Sequence, residues 1–419
     1  MDLYVSQPAI VAALLLLVVL WAWKLHIRNC RIQLFAYQPC ASPTQYDAIT
    51  ARSPCIRDYL DGCCPSLTDL KRAYFIPTPY LYFSLSQTAY MVINARRRDK
   101  SSDIYYEREL LTSDDGGTIA IDWYPSQTSD KPDTRPVAII MTGVGGSSKE
   151  YYIRCMAKSL ADGPLNYRVV VMNHRGCGGT KLTSPKPYNA HETSDIHLTV
   201  RHAHTHYPHA PLVALAFSMG GNILTRYVGE ESGDCILSAA VVISAPYDLP
   251  LCVRAMEEHN FLNDYVFRPA VVSGLKRYLL KNANTLNSGN IQFDMEQVKR
   301  ARSQSELDDL ITAKVFSTRD SWEYYEQASS ASLIEHIKIP FLSFASRDDT
   351  LSPIAGNPLD EFKKNPNTAL VVTSHGGHIG FYHGLRPRSW CIDPITEFFG
   401  AVVEPPKEAR GHHVLDVLN

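Results

Sequence analysis

The sequence is short of the features that settle a chain's class at a glance. Its ten cysteines contain no C-x-x-C pair, and no histidine pair is read at a zinc-binding spacing, so neither a disulfide framework nor a metal centre is expected and the thiols read as mostly reduced. No Asn-x-Ser/Thr triplet occurs, which favours a folded body outside the secretory lumen. Neither sign of charge dominates: 41 basic and 43 acidic side chains leave a formal net charge of -2, and the electrostatic footprint of a nucleic-acid binder is missing. Internal repeats, low-complexity tracts and heptad runs are also missing, which excludes solenoids and long coiled coils. What remains is 419 residues with 45% apolar and 20% charged side chains, the balance of a globular protein with room for a large core.

One long apolar run is present. No charge occurs from Leu3 to Trp23, and a helix of that length spans about 30 Å, the thickness of a bilayer core. Asp2 precedes the run and Trp21, Trp23 and Lys24 close it, which fits an uncleaved anchor with interfacial tryptophans better than a signal peptide. Lys24, Arg28 and Arg31 follow, and the positive-inside rule then places the body in the cytosol; the endoplasmic reticulum and the lipid droplet are the candidate membranes, between which the residues do not choose. Cys30 stands where S-acylation is chemically feasible, although a lone cysteine there is more often unmodified.

The expected organisation is an anchor over residues 1–30, an irregular segment over 31–100, an α/β domain over 101–250 and 338–400, a helical cap over 251–337 and a peripheral tail over 401–419. Eight strands are predicted: Tyr106–Leu111, Thr118–Trp123, Val137–Met141, Arg168–Met172, Leu212–Phe217, Ala239–Ile243, Phe341–Ala345 and Ala369–Thr373. Their alternation with helical stretches predicts a mostly parallel sheet with helices on both faces. The stretch between the sixth and seventh strands, about ninety residues, is far longer than one crossover helix requires, hence the cap.

Chemistry concentrates at the carboxyl ends of these strands. Leu212–Phe217 runs directly into Ser218, Met219, Gly220 and Gly221 and then a helix, the strand-turn-helix setting of a nucleophile elbow. The turn reads A-x-S-x-G, with Ala216 at a position that is usually glycine. At the helix amino terminus the Met219 amide can stabilise an oxyanion. A second donor is sought in the loop Thr142-Gly143-Val144-Gly145-Gly146-Ser147-Ser148, where the Val144 amide is favoured. A phosphate cradle is the rival reading of that loop, but Lys149 follows two serines and the G-K-Ser/Thr ending is not met. A serine hydroxyl needs a base. His378, behind Gly376 and Gly377 and the last strand, is preferred to His375. The acid that orients the base is sought after the seventh strand. Asp349 is preferred there to Asp348, with Asp248 a third candidate. The chain order Ser, Asp, His is that of α/β-hydrolases, and no metal or organic cofactor is required.

These residues resemble the fourth α/β-hydrolase family, which holds membrane-anchored acylglycerol and phospholipid esterases and fungal medium-chain ethyl ester synthase/esterases. The match runs from about Pro77 to His378 through Gln87-Thr88, Asp115-Gly116-Gly117, Gly145 to Tyr151, Asn173-His174-Arg175-Gly176, Phe217 to Asn222 and Gly376 to Phe381. The resemblance implies a Ser218, Asp349, His378 triad acting on lipid-like acyl esters, by hydrolysis or by transfer of the acyl group to an alcohol. A catalytically silent lipid-binding scaffold is the alternative from another class. The family usually has glycine at Ala216 and Pro or Val at Thr350. His191 and Asp195, one residue short of an acyltransferase His-x-x-x-x-Asp element, are read as structural, with Asp195 pairing with Arg175 or capping the next helix.

Overall fold

The computed structural model describes residues 26–38, 55–94, 104–125 and 134–403. The apolar run Leu3–Trp23 and the tail beyond Val403 lie outside these. Among the described residues no helix is long and apolar enough to cross a membrane.

Among the described residues nine strands form one sheet: β1 (Gln33–Ala36), β2 (Glu107–Thr112), β3 (Thr118–Tyr124), β4 (Val137–Met141), β5 (Arg168–Asn173), β6 (Leu212–Phe217), β7 (Ala239–Ile243), β8 (Phe341–Ser346) and β9 (Thr368–Thr373). Their order is β1-β9-β8-β7-β6-β4-β5-β3-β2. From β5 to β9 all neighbours are parallel. β2 and β3 are antiparallel, as is β1 on β9. The sequence expectation of eight strands is thus corrected to nine. The added strand has four residues, too few for a period of two to show, and its partner Ala369–Val372 is more than three hundred residues away. Its effect is to cover the backbone edge of β9.

The central strands are buried on both sides, so they read as continuous apolar runs. Successive side chains then divide between two cores. Ile139, Met141, Ala214 and Ala216 face helices α4 (Ser194–His206) and α5 (Met219–Glu231). Ile140, Val213, Leu215 and Phe217 face α1 (Ile56–Cys63), α3 (Tyr151–Asp162) and α9 (Ile392–Val403). Between β7 and β8 the chain forms α6 (Leu249–Glu257), α7 (Arg268–Lys281), four short helices and α8 (Ser321–Ala328). Part of this insertion has its own apolar core around Leu279, Leu286, Val298, Leu307 and Ile311.

Residues 31–100, read as irregular, hold β1, α1 and α2 (Ser84–Asn94) among their described parts. Cys30 is buried, not presented at the surface, and burial pushes its thiol up to about 11.

Candidate active site

β6 delivers its last side chain, Phe217, into the core and then turns abruptly. Ser218 takes φ 51° and ψ -126°, a strained conformation for a non-glycine residue, and α5 begins at the next residue. The turn is held because the Ser218 N–H donates to the Ile243 carbonyl at 2.9 Å and the Gly221 N–H donates to the Ser218 carbonyl at 2.8 Å. Gly220 is required by space: a Cβ there would lie 2.4 Å from the Thr142 carbonyl oxygen. Ala216 is fully buried, and its methyl packs within the core on the α4 and α5 side.

His378 arrives from the loop after β9. Its Nε2 lies 2.8 Å from Ser218 Oγ, and its Nδ1 lies 2.9 Å from Asp349 Oδ2 and 3.2 Å from Oδ1. With Nδ1–H donating to the carboxylate, the lone pair stays on Nε2 and accepts the Ser218 hydroxyl proton. Asp349 and His378 are only 4% and 6% exposed. Asp349 Oδ1 also accepts from the amides of Leu351 and Ser352, both at 2.9 Å, which fixes the carboxylate.

The competing candidates stand elsewhere. Asp348 accepts from the Gly377 N–H at 2.9 Å and from the Ser346 hydroxyl, so it braces the histidine loop rather than the imidazole. His375 packs against the Tyr82 ring at 4.4 Å. Asp248 caps α6, accepting from the Leu251 N–H at 2.9 Å. His191 packs against Phe316, whereas Asp195 forms a two-pronged ion pair with the Arg175 guanidinium through Nε at 2.9 Å and through Nη2.

Three positioning groups escaped the reading of residues as chemistry. Thr88 Oγ1, on α2, accepts the His378 N–H at 3.2 Å, and Ser244 Oγ accepts the Ile379 N–H at 3.1 Å. Gln87 is fully buried and bonds both the Leu81 and Tyr382 carbonyls and the Tyr382 N–H. Gly377 at φ +60° permits this approach, since a Cβ would lie 2.7 Å from the Ser84 carbonyl oxygen. The signal was the pair Gln87-Thr88 itself, visible only as part of a family resemblance.

The glycine loop lies against the serine: a Cβ on Gly143 would stand 3.2 Å from Ser218 Cβ. Val144 and Met219 both line the cavity above Ser218. His174 supports the loop from below by donating from Nε2 to the Thr142 carbonyl at 3.1 Å, and burial holds its pKa below the ordinary imidazole value. The cavity measures about 860 Å³ and is lined mainly by apolar groups, among them Met91 and Val92 of α2, Val253 and Met256 of α6, and Leu275 of α7.

A nucleophile on a strand-to-helix turn, a late histidine and an apolar chamber define a serine hydrolase arrangement on an α/β sheet. The alpha/beta hydrolase fold family matches residues 136–385. Mouse phospholipase ABHD3 is 34% identical over 351 residues, covering 83% of this chain and 82% of that one. Monoacylglycerol lipase of Saccharomyces cerevisiae is 31% identical over 278 residues, 65% of this chain and 60% of that one. Medium-chain fatty acid ethyl ester synthase/esterase 2 of the same yeast is 28% identical over 393 residues, covering 78% and 85%. The chain belongs to the α/β-hydrolase superfamily, in its fourth family, and is a carboxylic ester hydrolase of the lipase and esterase kind.

Proposed function

We propose that the protein cleaves medium-chain acyl esters of lipids, namely acylglycerols, phospholipids or simple fatty acid esters, through an acyl-enzyme on Ser218. His378 takes the Ser218 proton as Oγ attacks the ester carbonyl, and Asp349 balances the imidazolium. The amides of Val144 and Met219 hold the oxyanion, aided by the amino terminus of α5. The imidazolium then protonates the departing alcohol, and water, deprotonated by the same histidine, releases the fatty acid. An alcohol in place of water yields a new ester, and a relative named as an ethyl ester synthase as well as an esterase supports that second outcome.

The observation that carries the proposal is the 2.8 Å contact between Ser218 Oγ and His378 Nε2 at the floor of a large apolar cavity. Membrane attachment through Leu3–Trp23, with the body in the cytosol, forms part of the same reading. Its support is the uncharged run itself and the exposed, cavity-lining Val92 and Ile93 of α2, which suit a mouth turned to lipid. The domain reading follows: α6 to α8 with the short helices between them act as the cap over the acyl chamber.

Replacing Ser218 with Ala is expected to abolish both fluorophosphonate labelling and hydrolysis of acyl esters by the full-length protein. Labelling that survives the substitution would remove Ser218 from the mechanism.

A further inference from the structure

The carboxyl-terminal turn of α4 carries a cluster that ester chemistry leaves unused. His202 and His206 are four residues apart, so their imidazoles leave the same helix face, with ring centroids 4.3 Å apart. This departs from the expectation that no histidine pair sits at a zinc-binding spacing. β2 passes that face and brings Glu109 to it, its Oε1 2.9 Å from His202 Nε2. One ligand atom from each of the three residues lies within 4.8 Å of the others. Ligands of a single tetrahedral ion sit roughly 3.4 Å apart at bond lengths near 2.1 Å, so binding requires the exposed His206 ring to draw in toward the other two.

Three details favour an ion over a bare ion pair. The buried His202 Nε2 lies 2.9 Å from Glu109 Oε1 but outside good hydrogen-bond geometry. Trp123 Nε1 donates to Glu109 Oε2 at 3.0 Å and so orients the carboxylate with Oε1 turned to the histidines. His206 Nδ1 donates to the His202 carbonyl at 3.3 Å, which leaves the lone pair on Nε2. Such outer hydrogen bonds are what set ligand tautomer and direction in metal sites.

We propose that Glu109, His202 and His206 form a binding site for Zn²⁺, with water completing a tetrahedral shell. Two imidazoles and one carboxylate select a borderline transition ion over Ca²⁺ or Mg²⁺, which take oxygen ligands. The site is structural. His206 is next to Tyr207, whose ring lies under the guanidinium of Arg168 at the start of β5, whereas Ser218 follows the end of β6. His206 therefore lies toward the amino-terminal ends of the parallel strands, away from Ser218, and an ion held there would tie the edge strand β2 to α4.

Chelator-treated full-length protein titrated with Zn²⁺ tests this by calorimetry and thermal melting. The expected result is one equivalent of Zn²⁺ that the His202→Ala/His206→Ala double variant lacks, and a rise in melting temperature of roughly 3 °C in the parent alone. Ca²⁺ and Mg²⁺ should produce no shift. Ester hydrolysis at the parental rate reports that the double variant is folded. Should it fail to fold, the single variant His206→Gln, altered at an exposed side chain, is expected to weaken the same equivalent by about tenfold or more. Equal stoichiometry and equal affinity in the parent and the folded variant would overturn the proposal.

Discussion

Two neighbouring carboxylates, Asp348 and Asp349, do different work because their backbone directions differ by one residue. Asp349 bonds the imidazole and two amides of its own turn; Asp348 bonds the amide of Gly377. Asp349→Asn is therefore expected to lower kcat by roughly 10³-fold or more with KM little changed, because the wrong imidazole tautomer then faces Ser218. Asp348→Asn keeps an acceptor for Gly377 and should stay within about tenfold of the parent. Steady-state kinetics on one soluble acyl ester decide the matter, and the opposite ranking of the two variants would exchange their roles. The sequence placed the acid after β8 and preferred Asp349 to Asp348, with Asp248 a third candidate. Which of the two neighbours meets the base depends on the path of the loop, and that path is held by Thr88 of α2 and by Ser244 just after β7.

At the scale of elements, the histidine loop leans on a helix that precedes the α/β domain. α2 contributes Thr88 to the His378 amide and Gln87 to both backbone groups of Tyr382. Thr88→Val keeps the volume and removes the acceptor. It is expected to reduce kcat by ten- to a hundredfold, since small displacements of a base are costly, while the urea midpoint moves little. An unchanged kcat would show that packing alone positions the loop. Eight of the nine strands, β2 to β9, were legible within a residue at either end, the central ones because a buried strand announces itself as an apolar run between turn residues. β1 and α2 were not. Their apolar faces exist to cover β9 and the His378 loop, and a partner three hundred residues away leaves no local trace.

The whole molecule should lose stability toward acid in two stages. His174 is buried and its pKa is lowered by that burial, though the Thr142 carbonyl works the other way. The unfolded chain thus binds a proton that the folded one resists. This contribution is complete above the ordinary value of 6.5 and is lost as the pH falls below it. Asp122 gives the second stage. Burial disfavours its charge, but hydrogen bonds from Arg108, Ser148 and Asn173 outweigh that and lower its pKa. Its contribution is present above the ordinary 3.8 and disappears below it. Urea midpoints measured from pH 8 to pH 3 should be level at first, decline from about 6.5 and decline again near 4. His174→Gln should shrink the upper decline, to which His191 and His383, also held down by burial, contribute as well, and a midpoint that ignores pH between 7 and 5 in the parent would contradict the account.

By itself the sequence determined the strand-turn-helix at Ser218, the chain order of serine, acid and base, and a largely parallel sheet, because each is written in contiguous residues whose spacing follows from backbone geometry. Only the tertiary structure decided which acid meets His378, which helix braces its loop and that β2 brings Glu109 to His202 and His206. These are contacts between segments remote along the chain, and their geometry is set by how the layers close around a common core, not by any local preference.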